Sequence, residues 1–501
     1  MNNELETISS TPDSLFDYWR PRIGFWLGPV LGLAGFFFVD GSSQLSPQAQ
    51  KLFGILLFTL TYWVCEPIPL AATSLLSPLL CVIFGVEDLR KALQPFASPI
   101  VFLFIGSFTL AEATHKHGLD QRLALNVLSR PGVARSPTTM LMAIGLVTGF
   151  LSMWMSNTAT TALVLPVVLG VLRTHPQLSS PRVAPSLLLM ISFAATAGGL
   201  ATPVGTPPNL IAMGFVEQLV GGHVSFARWM VLGVPLFVVL LGVLVLLLRP
   251  RGMGTLENHH EFVADLRAQA RALGPLSRGE RNVVLVFVLA LGCWLYPGVA
   301  EMIGGKGAPG VKWFNTHLTD DLVGLAAGLL LFLLPINLKK WEFTVTWQDA
   351  ARIDWGTILL FGGGMAMGYL IFSTGLAKTV ADVLMGWVGA PGLWTLILVA
   401  VVSSIALSEF ASNTASANVT VPLVIGLAQA SHINAVPVAV AACLACSFGF
   451  MLPVSTPPNA IVYGSGLVPL RRMLVAGTVF DCIGVVAILL AMWVAVATGL
   501  W

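Results

Sequence analysis

Twice along the chain a polar triplet interrupts an apolar stretch: Ser156-Asn157-Thr158 opens "SNTATTALVLP" and Ser412-Asn413-Thr414 opens "SNTASANVTVP". Hydroxyls donate or accept hydrogen bonds, and an asparagine amide offers two donors and a carbonyl acceptor. Such groups can ring a small cation with oxygens or face the oxygens of an anion with hydrogens. In each copy a proline, Pro166 or Pro422, follows ten residues after the serine. A lone triplet of this kind reads as hydroxyls bonded back to their own helical turn. Its duplication is what marks a site.

The surroundings of both triplets are lipid. The 501 residues are 56% hydrophobic and only 10% charged, and the mean hydropathy is +0.83, far more apolar than a soluble domain. Apolar runs recur at 23–39, 231–248, 283–295, 322–334 and 474–497. At roughly 20 residues per crossing, the chain has room for about ten to twelve spans. The fold class expected is an all-α polytopic membrane protein. A net charge of +2 is too small to argue for a nucleic-acid partner.

Residues 1–20 are polar and acidic, unlike the basic start of a cleaved signal peptide, and read as a cytoplasmic tail. Arg20 and Arg22, and the six arginines of the 249–281 loop, place both regions on the cytoplasmic side by the positive-inside tendency. The six cysteines lie mostly in apolar runs and read as small buried hydrophobes. The Cys443–Cys446 pair has no second pair or histidine cluster beside it, so it reads as packing.

The elements that position the triplets carry their own motif. "ATPVGTPPNLIAMG" from Ala201 matches "MLPVSTPPNAIVYG" from Met451. Proline lacks an amide hydrogen, clashes with the preceding turn and pushes its predecessor out of helical angles. Pro207-Pro208 and Pro457-Pro458 therefore predict helix breaks, reinforced in the first copy by Gly198, Gly199 and Gly205. Freed backbone survives at membrane depth only where it is buried in protein or lines a cavity. There its carbonyls suit a cation, and the helix N-termini suit an anion.

Two further blocks recur upstream, "VFLFIGSF" from Val101 with "ILLFGGGM" from Ile358, and "HGLDQRLA" from His117 with "TGLAKTVA" from Thr374. All four blocks keep their order, with offsets of 257, 256 and 250 residues. The division expected is a tail (1–20), N-terminal helices (21–94), a first repeat (95–248), a charged loop (249–281), further helices (282–353) and a second repeat (354–501).

No Lys, Arg or His occurs in 152–172, 192–215, 402–429 or 441–470. An anion bound among these segments finds no cationic side chain there, and burying unpaired charge is costly. Cations entering with it would supply the countercharge. Glu409, three residues before the second triplet, faces Met153 in the alignment of copies; two roles are open to it, anchoring its loop or titrating.

The doubled SNT and TPPN motifs resemble those of the divalent anion:sodium symporter family, which includes bacterial sodium–dicarboxylate transporters and animal citrate carriers. The resemblance implies two inverted repeats, about eleven transmembrane helices with two re-entrant hairpins, and a homodimer. It also implies a transport domain that moves elevator-fashion against a scaffold formed by 21–94 and 282–353. By position, a first sodium site would use Ser152, Ser156, Asn157 and the Gly205 carbonyl, and a second Ser408, Asn413 and backbone near Ala411 and Ser455. Substrate carboxylates would be held by Ser156, Asn157, Thr158, Ser412, Asn413 and Thr414, with Thr206, Pro207, Thr456 and Pro457 closing the pocket. The hairpins would fall near "SPIVFLFIGSF" and "WGTILLFGGGM".

The function expected is sodium-coupled symport of succinate-class di- or tricarboxylates in a bacterial inner membrane, with no organic cofactor. The alternatives are a sodium-independent dicarboxylate exchanger and a symporter of sulfate or another divalent anion. Enzyme chemistry finds no support in the motifs: the nearest zinc-like string, from His260 to Ala264, lacks its second histidine.

Overall fold

The computed structural model describes residues 15–37, 45–130, 132–174, 178–250, 259–304, 310–388 and 391–501. Most of the N-terminal tail, His175 and residues 251–258 of the charged loop lie outside the described residues. An opening group comprises α1 (Leu15–Phe37), α2 (Pro47–Cys65), α3 (Leu70–Ile83) and the short α4 (Leu89–Leu93). The first repeat holds α5 (Pro99–Lys116), α6 (Leu119–Leu128), α7 (Pro137–Ser152), α8 (Asn157–Thr174), α9 (Ala184–Gly199), α10 (Pro207–Phe215) and α11 (Phe226–Leu248). Between the repeats lie α12 (His259–Ala272), α13 (Arg278–Gly304), α14 (Val311–His317), α15 (Asp320–Leu333), a two-stranded ribbon of β1 (Pro335–Asn337) and β2 (Glu342–Phe343), and α16 (Trp347–Ala350). The second repeat runs α17 (Trp355–Ser373), α18 (Leu376–Val388), α19 (Leu393–Phe410), α20 (Asn413–Ala430), α21 (Ala435–Cys446), α22 (Pro457–Tyr463) and α23 (Leu470–Ala497).

Among the described residues six helices are long and apolar enough to cross a membrane: Leu89–Lys116, α11, α13, α17, α19 and α23. The pair α14 and α15, bent by 64°, makes a seventh. The shorter apolar helices are α3, α7, α8, α9 and α21, and four of these five flank the SNT or TPPN motifs. The 16 residues of α7 span about 24 Å, short of the ~30 Å hydrocarbon core. These elements must be joined or paired to satisfy the bilayer.

The joining takes two forms. α7 and α8 meet through residues 153–156, and α19 and α20 through 411–412, so each SNT triplet stands at the turn of a helical hairpin. The expectation that hairpins fall at "SPIVFLFIGSF" and "WGTILLFGGGM" is corrected: both stretches lie in the uninterrupted helices α5 and α17. Their glycines serve close crossings instead of turns. A Cβ on Gly106 of α5 would lie 2.0 Å from the Gly324 carbonyl of α15, a small-residue contact of the kind that lets membrane helices pack backbone to backbone.

The second form is the broken helix. α9 stops at Gly199 and α10 restarts at Pro207, while α21 stops at Cys446 and α22 restarts at Pro457. Thr206 and Thr456 hold almost the same extended backbone at the restart, φ −147° and −142°. The freed carbonyls are stitched by the motif's asparagine. Asn209 Nδ2 donates to Gly199 O at 2.9 Å and Thr202 O at 2.8 Å. Asn459 Nδ2 donates to Gly449 O and Leu452 O, both at 3.0 Å.

The repeats exchange contacts reciprocally. α22 packs against α8 and α9, and α10 packs against α20 and α21. Similarly α5 packs on α15 while α17 packs on α3. One large apolar core unites α5–α11 with α19–α23, and a smaller one joins α2, α3, α17 and the start of α18.

At one end of α5 the Lys116 ammonium donates to Asp349 at 2.7 Å and to the Thr344 carbonyl at 3.1 Å. Burial pushes the Asp349 carboxyl up, but Lys116 and the Thr346 hydroxyl and amide outweigh it and hold it down, from the ordinary 3.8 to about 2. A depressed folded-state pKa gives stability that is present above 3.8 and lost as pH falls toward about 2. The thermal midpoint of the purified protein should fall across that window by less in Asp349→Asn than in the unmodified chain; equal acid sensitivity would refute the assignment. Asn209→Ala and Asn459→Ala each take the asparagine's donor from one buried carbonyl, Gly199 O or Gly449 O, at about 1–3 kcal/mol, while Thr202 O and Leu452 O keep the Gly205 and Ser455 amides. Both should lower the thermal midpoint in detergent, whereas unaltered midpoints would show that the stitch is dispensable.

Candidate functional site

Each triplet serine caps the helix that follows it. Ser156 Oγ accepts from the Ala159 amide and Ser412 Oγ from the Ala415 amide, both at 3.2 Å. The cap fixes the hydroxyl and leaves the other amides of the first turn of α8 and α20 directed past the turn, the positive end of the helix dipole. The asparagines stand one residue on. Ser152 Oγ donates to Asn157 Oδ1 at 2.7 Å, and Ser408 Oγ donates to Asn413 Oδ1 at 2.8 Å. The same bond thus closes both hairpin turns. Ser408 Oγ also lies 2.6 Å from the Cys446 carbonyl at the end of α21.

The broken helices bring carbonyls to these turns. A Cβ on Gly199 would sit 2.7 Å from Asn157 Oδ1 and 3.2 Å from Gly205 O; one on Gly205 would sit 2.6 Å from Gly199 O and 3.0 Å from Met153 O. Only glycine lets backbone and amide oxygens crowd together so closely. In the second copy the open face of Gly449 is bordered by the Ser408 carbonyl at 3.0 Å, the Ser455 Cβ at 3.2 Å and the Ser408 hydroxyl at 3.4 Å. Ser152, Asn157 and Gly205 are therefore neighbours, and so are Ser408, Asn413 and Ser455. Ala411 lies between Ser408 and Asn413 in the second turn.

Burial sorts the residues. Ser152, Gly205, Ser408, Ala411, Ser455, Thr206 and Thr456 are buried, Asn157, Ser412, Asn413, Thr414 and Pro207 are half-buried, and Ser156, Thr158 and Pro457 are exposed. The oxygen-rich turns lie inside, and the triplets present their outer face to open space. A cavity of about 550 Å³ lies elsewhere, between the start of α5 and α17, bordered by Lys91, Gln94, Glu217 and Tyr369 and by no triplet residue. Among the described residues no three His, Cys, Asp or Glu side chains come together to hold a metal. The donors at the turns are hydroxyl, amide and peptide oxygens, the hard neutral ligands an alkali cation takes.

The copies differ at one point. In the first, Thr202 Oγ1 donates to Met153 O at 2.5 Å. In the second, Glu409 holds the break: its carboxylate accepts from the amides of Phe450 at 2.8 Å, Met451 at 3.0 Å and Leu452 at 3.3 Å, and from Ser455 Oγ at 2.7 Å. Ser455 Oγ also lies 2.9 Å from the Glu409 carbonyl. Of the two roles open to Glu409, the geometry gives it the anchoring one. The serine that replaces Gly205 in the second copy turns its hydroxyl toward this glutamate.

Two residues escaped the sequence reading although they stood in the quoted motifs. Asn209 and Asn459 were the last letters of TPPN, and their repetition was the signal that a stitched break needed them. Each also touches the other repeat: Ser192 Oγ donates to Asn459 Oδ1 at 2.5 Å, and Cys443 Sγ lies 3.7 Å from Asn209 Oδ1 while donating to the Pro208 carbonyl.

Comparison with known proteins agrees with this architecture. The family model of the sodium:sulfate symporter transmembrane region matches residues 26–500. The sodium-dependent dicarboxylate transporter SdcS of Staphylococcus saprophyticus is 32% identical over 485 residues, covering 94% of this chain and 90% of that one. SdcS of Staphylococcus aureus is likewise 32% identical, with the same coverage. Among solved structures, the YdaH transporter of Alcanivorax borkumensis aligns with a TM-score of 0.52 at 13% identity, over 97% of this chain and 98% of that one. MtrF of Neisseria gonorrhoeae aligns with a TM-score of 0.54 at 11% identity, over 94% and 96%; both likenesses concern the fold alone. The chain is thus an integral membrane transporter, not an enzyme, and belongs to the sodium:sulfate symporter family, the divalent anion:sodium symporters that its doubled motifs resemble.

Proposed function

We propose that this protein is a sodium-coupled symporter of C4 dicarboxylates of the succinate, malate and fumarate class. The observation that carries this reading is the doubled turn: a buried serine bonded to a triplet asparagine, beside a broken helix, twice, with no basic side chain in either set of segments. Sodium ions would enter at Ser152, Ser156, Asn157 and the Gly205 carbonyl, and at Ser408, Asn413 and the backbone near Ala411 and Ser455. They supply the positive charge the protein withholds. The dicarboxylate would then lie between the two triplets, one carboxylate toward Ser156, Asn157 and Thr158 and the other toward Ser412, Asn413 and Thr414. Thr206 with Pro207 and Thr456 with Pro457 would close it in.

The reciprocal packing of the repeats supports an inverted pair, with α7–α8 and α19–α20 as re-entrant hairpins among about eleven transmembrane segments. These hairpins and the broken helices would form a transport domain that rides, elevator-fashion, against a scaffold of α1–α3 and α13–α15. We place the protein as a homodimer in the inner membrane of a bacterium. The names of the SdcS relatives support both the cation and the substrate class.

Purified protein in liposomes, given labelled succinate and an inward sodium gradient, should accumulate it into empty vesicles and should fail to do so with potassium. Uptake confined to vesicles preloaded with succinate and indifferent to sodium would instead make it an exchanger; uptake of sulfate in preference to succinate would reassign the substrate. Asn157→Ala and Asn413→Ala should each cut sodium-driven uptake at least tenfold while the protein elutes as the unmodified one does. Normal uptake by both variants would remove the site.

A further inference from the structure

Asn418 is a buried amide with half of its bonding capacity unused. It stands one turn past the second triplet on α20, is 4% exposed, and folds its Nδ2 back to donate to the Thr414 carbonyl at 3.1 Å. Its Oδ1 is enclosed and has no hydrogen-bond partner among the described residues. A neighbouring helix presses on it. A Cβ on Gly364 of α17 would lie 1.8 Å from Asn418 Oδ1 and 3.0 Å from Asn418 Cβ, so the amide oxygen occupies a notch that only glycine provides. Gly364 sits inside the unbroken helix α17, whose amides are spent on its own turns. Its Cα hydrogens, weak donors at best, are what it turns to the oxygen.

α17 divides two sets of elements. On one side it closes on the opening group: Gly363 leaves no room for a Cβ beside the Ser74 carbonyl of α3, and α17 shares the smaller apolar core with α2 and α3. On the other side it bears α20, which opens with the second triplet, and α10, which opens with the first Pro-Pro-Asn. The surroundings of Asn418 on this seam are apolar. Gly368, one turn beyond Gly364, is filled by the Phe215 ring of α10, and a Cβ on Gly214 of α10 would sit 2.9 Å from the Phe361 ring and 3.1 Å from Met365 Sδ. In the first repeat the matching place is held by Ala162, which is exposed. The arrangement belongs to the second half alone.

A buried carbonyl without a donor raises the energy of whatever arrangement buries it. We propose that Asn418 is a positioning residue of the transport cycle: its Oδ1 penalises the arrangement in which α20 bears on Gly364, and so keeps the triplet-bearing elements from settling against α17. Movement of α20 along or away from the seam frees the oxygen to meet water or a donor, while the bond from Nδ2 to Thr414 keeps the amide on its own helix. The penalty thereby sets the balance between two arrangements of the same site. This inference rests on the elevator reading of the cycle; the unpaired oxygen and its glycine notch do not.

Spin labels on the exposed Leu338 of the ribbon and Leu467 beyond α22 would read the two arrangements as distances, in full-length protein in liposomes with Cys65, Cys293 and Cys482 changed to serine. Asn418→Leu, of similar size but without the oxygen, should favour the distance of this structure by about tenfold in the ratio of populations, and should slow succinate uptake to match. Gly364→Ala should do the reverse, because its methyl group cannot share the notch with Oδ1. Combining Gly364→Ala with Asn418→Ala should restore the first distance. A general loss of stability cannot imitate shifts of opposite sign with rescue, and Gly364→Ala keeps the test open if Asn418→Leu fails to fold. Two populations whose ratio none of these variants changes would overturn the role of Asn418 and leave the elevator reading standing. One unchanging distance in the unmodified protein, with and without sodium and succinate, would overturn both.

Discussion

A doubly charged anion cannot rest inside a membrane protein unless countercharge arrives with it, and this chain places no lysine, arginine or histidine in the segments that form its triplet turns and helix breaks. Burial of an unpaired ion costs several kcal/mol even after relaxation. On the proposed function, the triplet turns and the helix breaks answer that constraint. The chain turns at Ser156 and Ser412 to expose helix N-termini, and it breaks at Gly205 and Ser455 to free carbonyls. Neutral oxygens are thereby gathered into two nests, which the proposed symport fills with sodium.

Such nests are unstable when empty of structure, since freed peptide groups in lipid have no water to bond. The amides of Asn209 and Asn459 therefore stitch the breaks, and the Ser152–Asn157 and Ser408–Asn413 bonds tie each hairpin turn. The Ser152–Asn157 and Ser408–Asn413 pairs that tie the turns are also the proposed cation ligands. The two copies also diverge where they need not match: a threonine hydroxyl steadies the first turn, and a buried glutamate steadies the second.

Much of this was legible in the residues themselves. Pro207-Pro208 and Pro457-Pro458 cannot continue a helix, so the breaks were predictable from covalent geometry alone. The grouping of Ser152 with Asn157 and of Ser408 with Asn413 was what the family resemblance implied, and the structure joins each pair by a hydrogen bond. The hairpins, which the resemblance put near "SPIVFLFIGSF" and "WGTILLFGGGM", lie instead at the SNT turns. In the structure Pro99 only starts α5, and Gly106 and Gly363 are small because neighbouring helices approach them to backbone contact.

If cation and anion stabilise one another at the doubled turns, each must tighten the binding of the other. Calorimetric titration of the purified protein should show succinate binding tightened by sodium, and sodium binding tightened by succinate, with the same factor in both directions. Succinate binding of equal strength in sodium and in potassium would contradict the account, because the turns would then hold a dianion without the charge that the fold omits.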